Sequence, residues 1–322
     1  MKAKKILVTG GAGYIGSVLV KMLLDRGHEV RILDSLLYGS DAIIHLFPYP
    51  NLEFQVGDIL SLHDLKRAMK NVDAVVHLAA IVGDDACDRD TKMATDTNVN
   101  SVRKILKVMK ERKIPRLVFA STCSVYGASE NEILTEESAL NPVSHYARTK
   151  IEAEKIILSE NNKDFHPTIL RMSTIYGYSP RTRFDLAINL FAMRAAIYGN
   201  ITIQGGHQWR PFVHVYDAAR AFVKVLEAPV IKVSRQVFNV GTNNQNIKMI
   251  KFIEIMAKTL PKVKVNLNKS FTDLRSYHVS FDKIEKKLGF KNEKTVEDGL
   301  LEIYNLVKSG YILNPRDLRY IN

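Results

Sequence analysis

Cysteine is scarce in this chain: Cys87 and Cys123 are the two in 322 residues, far apart and in no CxxC pair. Neither a disulfide framework nor a cysteine zinc site is indicated, and a reducing compartment fits. Long apolar runs are missing as well, so no segment has the composition of a membrane span. The opening MKAKKILVTGGAGYIG passes from a few basic residues directly into an apolar run and a glycine turn, without a small-residue cleavage site. A cytoplasmic protein with no membrane partner is expected. A tract of one charge sign is also lacking. The net charge is +12, but basic residues alternate with acidic ones, as in KIEKKLGFKNEKTVED. That pattern argues for a solvated surface, or a basic cleft for a small anion, and against nucleic acid.

What is present is a regular alternation. KILVTG, EVRILD, LEFQVGD and DAVVHLAA are short apolar runs separated by amphipathic stretches such as YIGSVLVKMLLDRG and LHDLKRAMK. VNSVRKILKVMKERK, RLVFAST, ARTKIEAEKIILSEN and TILRMSTIYG continue it as helix, strand, helix, strand. This βαβ order predicts an α/β fold, a doubly wound parallel sheet with helices on both faces. Beyond residue 171 the pattern loosens, with a helix in DLAINLFAMRAAIYG, a strand-turn-strand look in ITIQGGHQWRPFVHV and a helix in DAARAFVKVLEAP. The expected organisation is a nucleotide-binding domain over 1–170 and a smaller α+β domain over 171–322, with the chain free to cross between them.

Residues 8–16, VTGGAGYIG, join the first strand to the first helix. Glycines there let the backbone turn tightly against a pyrophosphate, whose charge meets the amides and positive end of the helix. Asp34 closes the second strand, where a carboxylate can accept from a ribose diol and repel a 2′-phosphate, favouring NAD over NADP. Asp58, after the third strand, offers a hydrogen bond to adenine. A turn role remains open for both acids.

With VTGGAGYIG, GDI, HLAA at 77–80, STCSVYG at 121–127 and YARTK at 146–150 in this order, the chain resembles the extended short-chain dehydrogenase/reductases. Within them it is similar to the NAD-dependent nucleotide-sugar epimerases and dehydratases, of the UDP-glucose 4-epimerase type. The likeness runs on through WRPFVHVYDAARAF and DLRSYHVSFDKIEKKLGF, nearly the whole chain. It implies a Rossmann-type sheet with a sugar-nucleotide-binding domain. The implied NAD contacts are Gly10, Gly13, Tyr14, Ile15 and Gly16 at the pyrophosphate, and Asp34 with Ser35 at the ribose. Asp58 and Ile59 follow at the adenine, with Ala79 and Ala80 at the nicotinamide and Asn98 close behind them.

The same resemblance assigns the chemistry. Tyr146 and Lys150 are four residues apart and share a helix face. Tyrosine ordinarily ionises near about pH 10, so a basic phenolate needs stabilisation. Lys150, together with the positive nicotinamide ring, is expected to supply it, and Lys150 to hold the nicotinamide ribose. Thr122 matches the family's hydroxyl that hydrogen-bonds the reacting oxygen, with Ser121 and Ser124 as weaker neighbours. Dehydratases carry an aspartate-glutamate pair after that threonine, where Cys123 and Ser124 stand here, so dehydration is not expected.

A nucleoside-diphosphate sugar is the implied substrate. Its diphosphate calls for guanidinium groups, and Arg210 and Arg275 fall on the family's positions, with Asn189 on its asparagine. Arg181 and Arg183 are further candidates. Thr174, Gln204 and Val82 depart from galactose-epimerase patterns, which leaves the sugar and base open. The loop GDDACDRD at 83–90 has four aspartates but no spaced histidines, so it is expected to be a solvated loop and no metal is assigned. The expected activity is 4-epimerisation through a 4-keto sugar. A 4-dehydrogenase or 4-keto reductase is the alternative, and a non-catalytic dinucleotide-binding protein a remoter one. The resemblance also implies a homodimer through the helices after Asn98 and Tyr146, including Ile105, Leu106, Ile156 and Ile157.

Overall fold

Runs such as KILVT, AVVH and RLVFAST carry consecutive apolar residues and are buried at nearly every position, which suits parallel strands covered on both faces. The computed structural model describes residues 4–129, 132–160, 163–268 and 276–322, and these runs are adjacent strands in it. In chain order the first strands are β1 Lys5–Thr9, β2 Glu29–Asp34, β3 Leu52–Val56, β4 Ala74–His77, β5 Arg116–Thr122, β6 Ile133–Leu134 and β7 His166–Met172. They continue with β8 Thr174–Tyr176, β9 Asn200–Gln204, β10 Trp209–His214, β11 Gln236–Val240, β12 Asn246–Lys248, β13 Lys264–Asn268 and β14 His278–Val279.

Seven form one sheet in the order β3-β2-β1-β4-β5-β7-β11, every neighbour parallel. Side chains alternate through it. Ile6 and Val8 join Ile32, Val76 and Val118 in one core, while Leu7 joins Leu33, Val75, Leu117 and Phe119 in the other. The helices Tyr14–Asp25 and Val215–Glu227 give Leu19, Leu23 and Phe222 to the first core. The helices Ser101–Arg112 and His145–Ser159 give Val102, Ile105 and Ile157 to the second. This is the expected Rossmann-type α/β fold. Its strand order reverses between β1 and β4, and such a switch point opens a crevice at the carboxyl ends of the strands.

A third core, with Tyr176, Phe184, Phe191, Phe212 and Phe252, lies under the small sheets β12-β10-β8 and β13-β9. Two details sharpen the reading of the sequence and one corrects it. ITIQGGHQWRPFVHV is no hairpin, because β9 pairs with β13 and β10 with β8 and β12. The strand β11, from the second half, completes the main sheet, and β7 itself spans residue 170. Part of the 83–90 loop is a short helix, Asp84–Arg89, because Cys87 turns inward and is fully buried.

Candidate active site

The crevice at the switch point is a cleft of about 830 Å³ between the sheet and the second half. β1 enters it through residues 10–13. Gly10 has a φ of +74°, and a Cβ there would lie 2.7 Å from the amide nitrogen of Ala79. A Cβ on Gly16 would collide with the Gly10 carbonyl. The turn and the end of β4 are therefore packed backbone to backbone, leaving open the cradle that a pyrophosphate needs. Tyr14, Ile15 and Gly16 begin the Tyr14–Asp25 helix at its cleft end.

Asp34, at the end of β2, accepts from the amides of Ala12 at 3.0 Å and Leu36 at 2.9 Å. It ties the glycine turn to the next strand, and each oxygen retains a lone pair for a ribose hydroxyl. Burial raises its pKa, opposed by those amides and by the charge of Arg181. Ser35, Asp58, Ile59, Ala79 and Ala80 also line the cleft. Asn98 does not. It is buried behind the wall, bonded to both the amide and the carbonyl of Ile81 and to Thr149, so it shapes the strand exit without facing the ligand. These features fit a dinucleotide: a cradle without side chains, a carboxylate at the ribose position and small residues at the end of β4.

Tyr146 and Lys150 project from the helix His145–Ser159 into the same cleft, opposite Thr122 at the end of β5. The ammonium of Lys150 donates to the Ala120 carbonyl at 3.0 Å and lies 5.9 Å from the centre of the Tyr146 ring. Thr122 faces Tyr146 across the cleft, donates to Ser124 Oγ at 3.1 Å and accepts from the Ser124 amide. Burial pushes the Lys150 pKa down to about 8. Burial also pushes the Tyr146 phenol up, with the charge of Arg183 the largest influence against it. With both groups out of water, desolvation dominates.

On the far wall, Thr174, Gln204 and Arg210 line the cleft as expected. Arg210 packs 5.4 Å from the ring of Tyr277. Three expected substrate residues are placed differently. Ser121 lines the cleft, but its hydroxyl donates to the buried Glu154. Asn189 is fully buried and fastens the amide of Gly177, the Tyr14 hydroxyl and the Arg183 carbonyl, away from the cleft. Arg181 stands on the nucleotide side, 3.8 Å over the ring of Tyr38, within electrostatic reach of Asp34, and donates to Asn322 at 2.7 Å. Arg275 lies outside the described residues. Reading the sequence missed Tyr38, Tyr277 and Asn322, which also line the cleft. An aromatic ring four residues beyond Asp34 was the available signal for Tyr38.

Cys123 is buried with its thiol toward the Arg171 carbonyl at 3.3 Å, and burial raises its pKa. Thus the position after Thr122 presents no acid to the cleft. No group of three potential metal ligands occurs among the described residues.

Known proteins share this arrangement. Residues 6–241 match the model of the NAD dependent epimerase/dehydratase family. The UDP-glucose 4-epimerase of Lactobacillus helveticus is 30% identical over 258 residues, 74% of this chain and 76% of that protein. The structure of UDP-glucuronic acid 4-epimerase from Bacillus cereus, in complex with UDP-glucuronic acid and NAD, superposes with a TM-score of 0.83 at 27% identity, covering 95% of this chain and 99% of that one. The dTDP-glucose 4,6-dehydratase DesIV from Streptomyces venezuelae, with NAD bound, gives 0.81 at 28% identity, covering 95% and 98%. The glycine cradle, Asp34 and the Thr122, Tyr146 and Lys150 cluster thus come with a match across most of the chain, which belongs to the NAD-dependent epimerase/dehydratase family of extended short-chain dehydrogenase/reductases.

Proposed function

We propose that this chain is an NAD-dependent 4-epimerase of a nucleoside-diphosphate sugar. The observation that carries the reading is the meeting of Tyr146, Lys150 and Thr122 in one cleft with the glycine cradle, where Cys123 and Ser124 replace an acid pair. Bound NAD supplies the hydride acceptor and donor. Gly10, Gly13 and Gly16 hold its pyrophosphate, and Asp34 its adenosine ribose.

Tyr146 Oη takes the proton from the sugar 4-hydroxyl and later returns it. Thr122 Oγ1 orients that oxygen and holds the proton in transit. Lys150 Nζ, anchored on Ala120, keeps a positive charge beside the phenol and binds the nicotinamide ribose hydroxyls. Arg210 holds the substrate diphosphate, with Thr174, Ser124 and Gln204 along the sugar and base. Rotation of the 4-keto sugar in the site before Tyr146 returns the proton would invert the carbon. The buried Cys123 supports epimerisation over dehydration, since no carboxylic acid follows Thr122 to protonate a leaving hydroxyl.

The second reading is a 4-dehydrogenase or 4-keto reductase, with the same residues and release of the keto sugar. A panel of UDP-, dTDP-, GDP- and CDP-sugars followed by NMR separates them. Interconversion without net change in NADH supports epimerisation, and NADH formed, or consumed on a 4-keto sugar, in step with substrate supports the alternative. Homodimerisation through the helices Ser101–Arg112 and His145–Ser159 completes the proposal. Ile105, Leu106 and Ile157 face the chain's own core, so that interface is a charged one, with Arg103, Lys107, Arg148 and Glu152 exposed. Sedimentation of the purified protein tests it.

A further inference from the structure

Three turns of one helix face the end of one strand. Tyr146, Lys150 and Glu154 follow at four-residue steps along the helix His145–Ser159, and all three are buried. Against them lie Ala120, Ser121 and Thr122. Thr122 lines the cleft with Tyr146, the Ala120 carbonyl accepts from Lys150, and the Ser121 hydroxyl donates to Glu154 Oε1. The proposed reaction uses the first two rungs of this ladder. The third has no task in it.

Glu154 is also gripped from behind. Arg171 Nη2 donates to its Oε2 at 2.7 Å and Nε to its Oε1 at 3.1 Å, with both side chains at most 5% exposed. Arg171 is the cross-strand partner of Ser121. Acid, hydroxyl and guanidinium therefore close a triangle across the helix, β5 and β7. Arg171 Nη1 continues to the Tyr126 hydroxyl at 2.9 Å, which donates to Asn239 at 2.7 Å in β11. A buried ion pair is a weak source of net stability, and apolar replacements are often as stable. A pair set one helical turn from the proton-transfer groups has a geometric use instead.

We propose that Glu154, held by Ser121 and Arg171, is a positioning residue that fixes the axial register of the Tyr146 helix against β5. This rests on the reading of Tyr146 as the proton acceptor. Displacement by about 1 Å is enough to cost about a hundredfold in rate. The charge of Glu154 matters too, because Lys150 is surrounded by few titratable groups: Glu154 and Tyr146 on its helix, Cys87 from the helix Asp84–Arg89 and His77 from β4.

The test compares Glu154→Gln, the double variant Glu154→Gln with Arg171→Met, and two references. Asp217→Asn removes an equally buried carboxylate, paired with the partly exposed Arg220, outside the cleft. Tyr146→Phe removes the proton acceptor. Glu154→Gln is expected to lower kcat about ten- to a hundredfold, with KM within about twofold of the parent and no such loss in Asp217→Asn. The uncompensated Arg171 charge shifts the acidic limb of the kcat profile to lower pH. The double variant returns the limb to its original position while kcat stays low. Should Glu154→Gln fail to fold, Ser121→Ala carries the test, because it leaves the ion pair intact. It is expected to lower kcat at constant KM, and a rise in KM alone would overturn the proposal. So would a Glu154→Gln enzyme with parental kcat, an unmoved limb, or a loss matched by Asp217→Asn. An active Tyr146→Phe enzyme would instead overturn the underlying reading of the site.

Discussion

The two walls of the cleft are made of different materials. The nucleotide wall is backbone and small residues: Gly10 and Gly16 pressed on neighbouring carbonyls and amides, Ala79 and Ala80 at the end of β4, and Asp34 tied to two amides. The substrate wall is built of long side chains, with Arg183, Arg210, Gln204 and Tyr277 on short strands and connecting segments. A dinucleotide common to every turnover suits a rigid backbone cradle, in which one extra carbon is a collision. A variable sugar nucleotide suits side chains that can be exchanged without disturbing the sheet. Substitutions on the first wall should therefore act by steric exclusion, and those on the second by loss of charge.

The largest effect is expected where the walls meet. Tyr146→Phe should lower kcat by about 10²- to 10⁴-fold with NAD affinity intact, measured by steady-state kinetics and cofactor titration. Next is Gly16→Ala, whose Cβ must displace the Gly10 carbonyl. Overpacking of this kind costs about 1–3 kcal/mol. Thermal unfolding should report that loss, and cofactor affinity should fall as well, because the displaced carbonyl narrows the pyrophosphate cradle. Arg210→Met should give the mirror result. Loss of a charged hydrogen bond, worth about 1.5–3 kcal/mol, should raise KM for the sugar nucleotide about tenfold or more and leave NAD affinity unchanged. Equal effects of the last two variants on both ligands would erase the contrast between the walls.

The smallest effect concerns acid. Burial alone would raise the Glu302 pKa, but His214, bonded at 2.8 Å, and Lys294 outweigh it and hold the carboxyl at about 2. Its ordinary value is 4.5. Because the folded state binds this proton less readily than the unfolded one, the stabilisation is fully present above about pH 4.5. It is lost as pH falls toward 2. Glu302→Gln should therefore flatten the fall of the melting temperature between pH 5 and pH 3, relative to the parent.

The nucleotide wall was readable in the sequence because its chemistry is local. VTGGAGYIG and RILD each fall within one strand and its turn, and the four-residue step of YARTK is a property of one helix. The substrate wall was harder for the opposite reason. Arg181 sits four residues past Gly177, yet its position depends on Tyr38, which is distant in sequence and packs against its guanidinium. Asn189 entered as a ligand through its match to the family's asparagine, and the sequence does not show that its amide is taken by Gly177, Tyr14 and Arg183. The return of β11 to the main sheet was equally hidden, since QVFNV carries no mark of which strand it will pair with. Glu154 passed as one more charge in IEAEKIILSE, and only its burial against Arg171 sets it apart from Glu152 on the surface.

In the proposed reaction Tyr146 and its neighbours take a proton and return it on the same sugar, with hydride leaving and coming back within one cleft. A nucleotide sugar accepted by the enzyme, deuterated at C4, tests this most directly. Mass spectrometry and NMR should find the deuterium at C4 of both epimers after many turnovers in unlabelled buffer. Deuterium appearing in free reduced cofactor, or product carrying hydrogen at C4, would contradict the account.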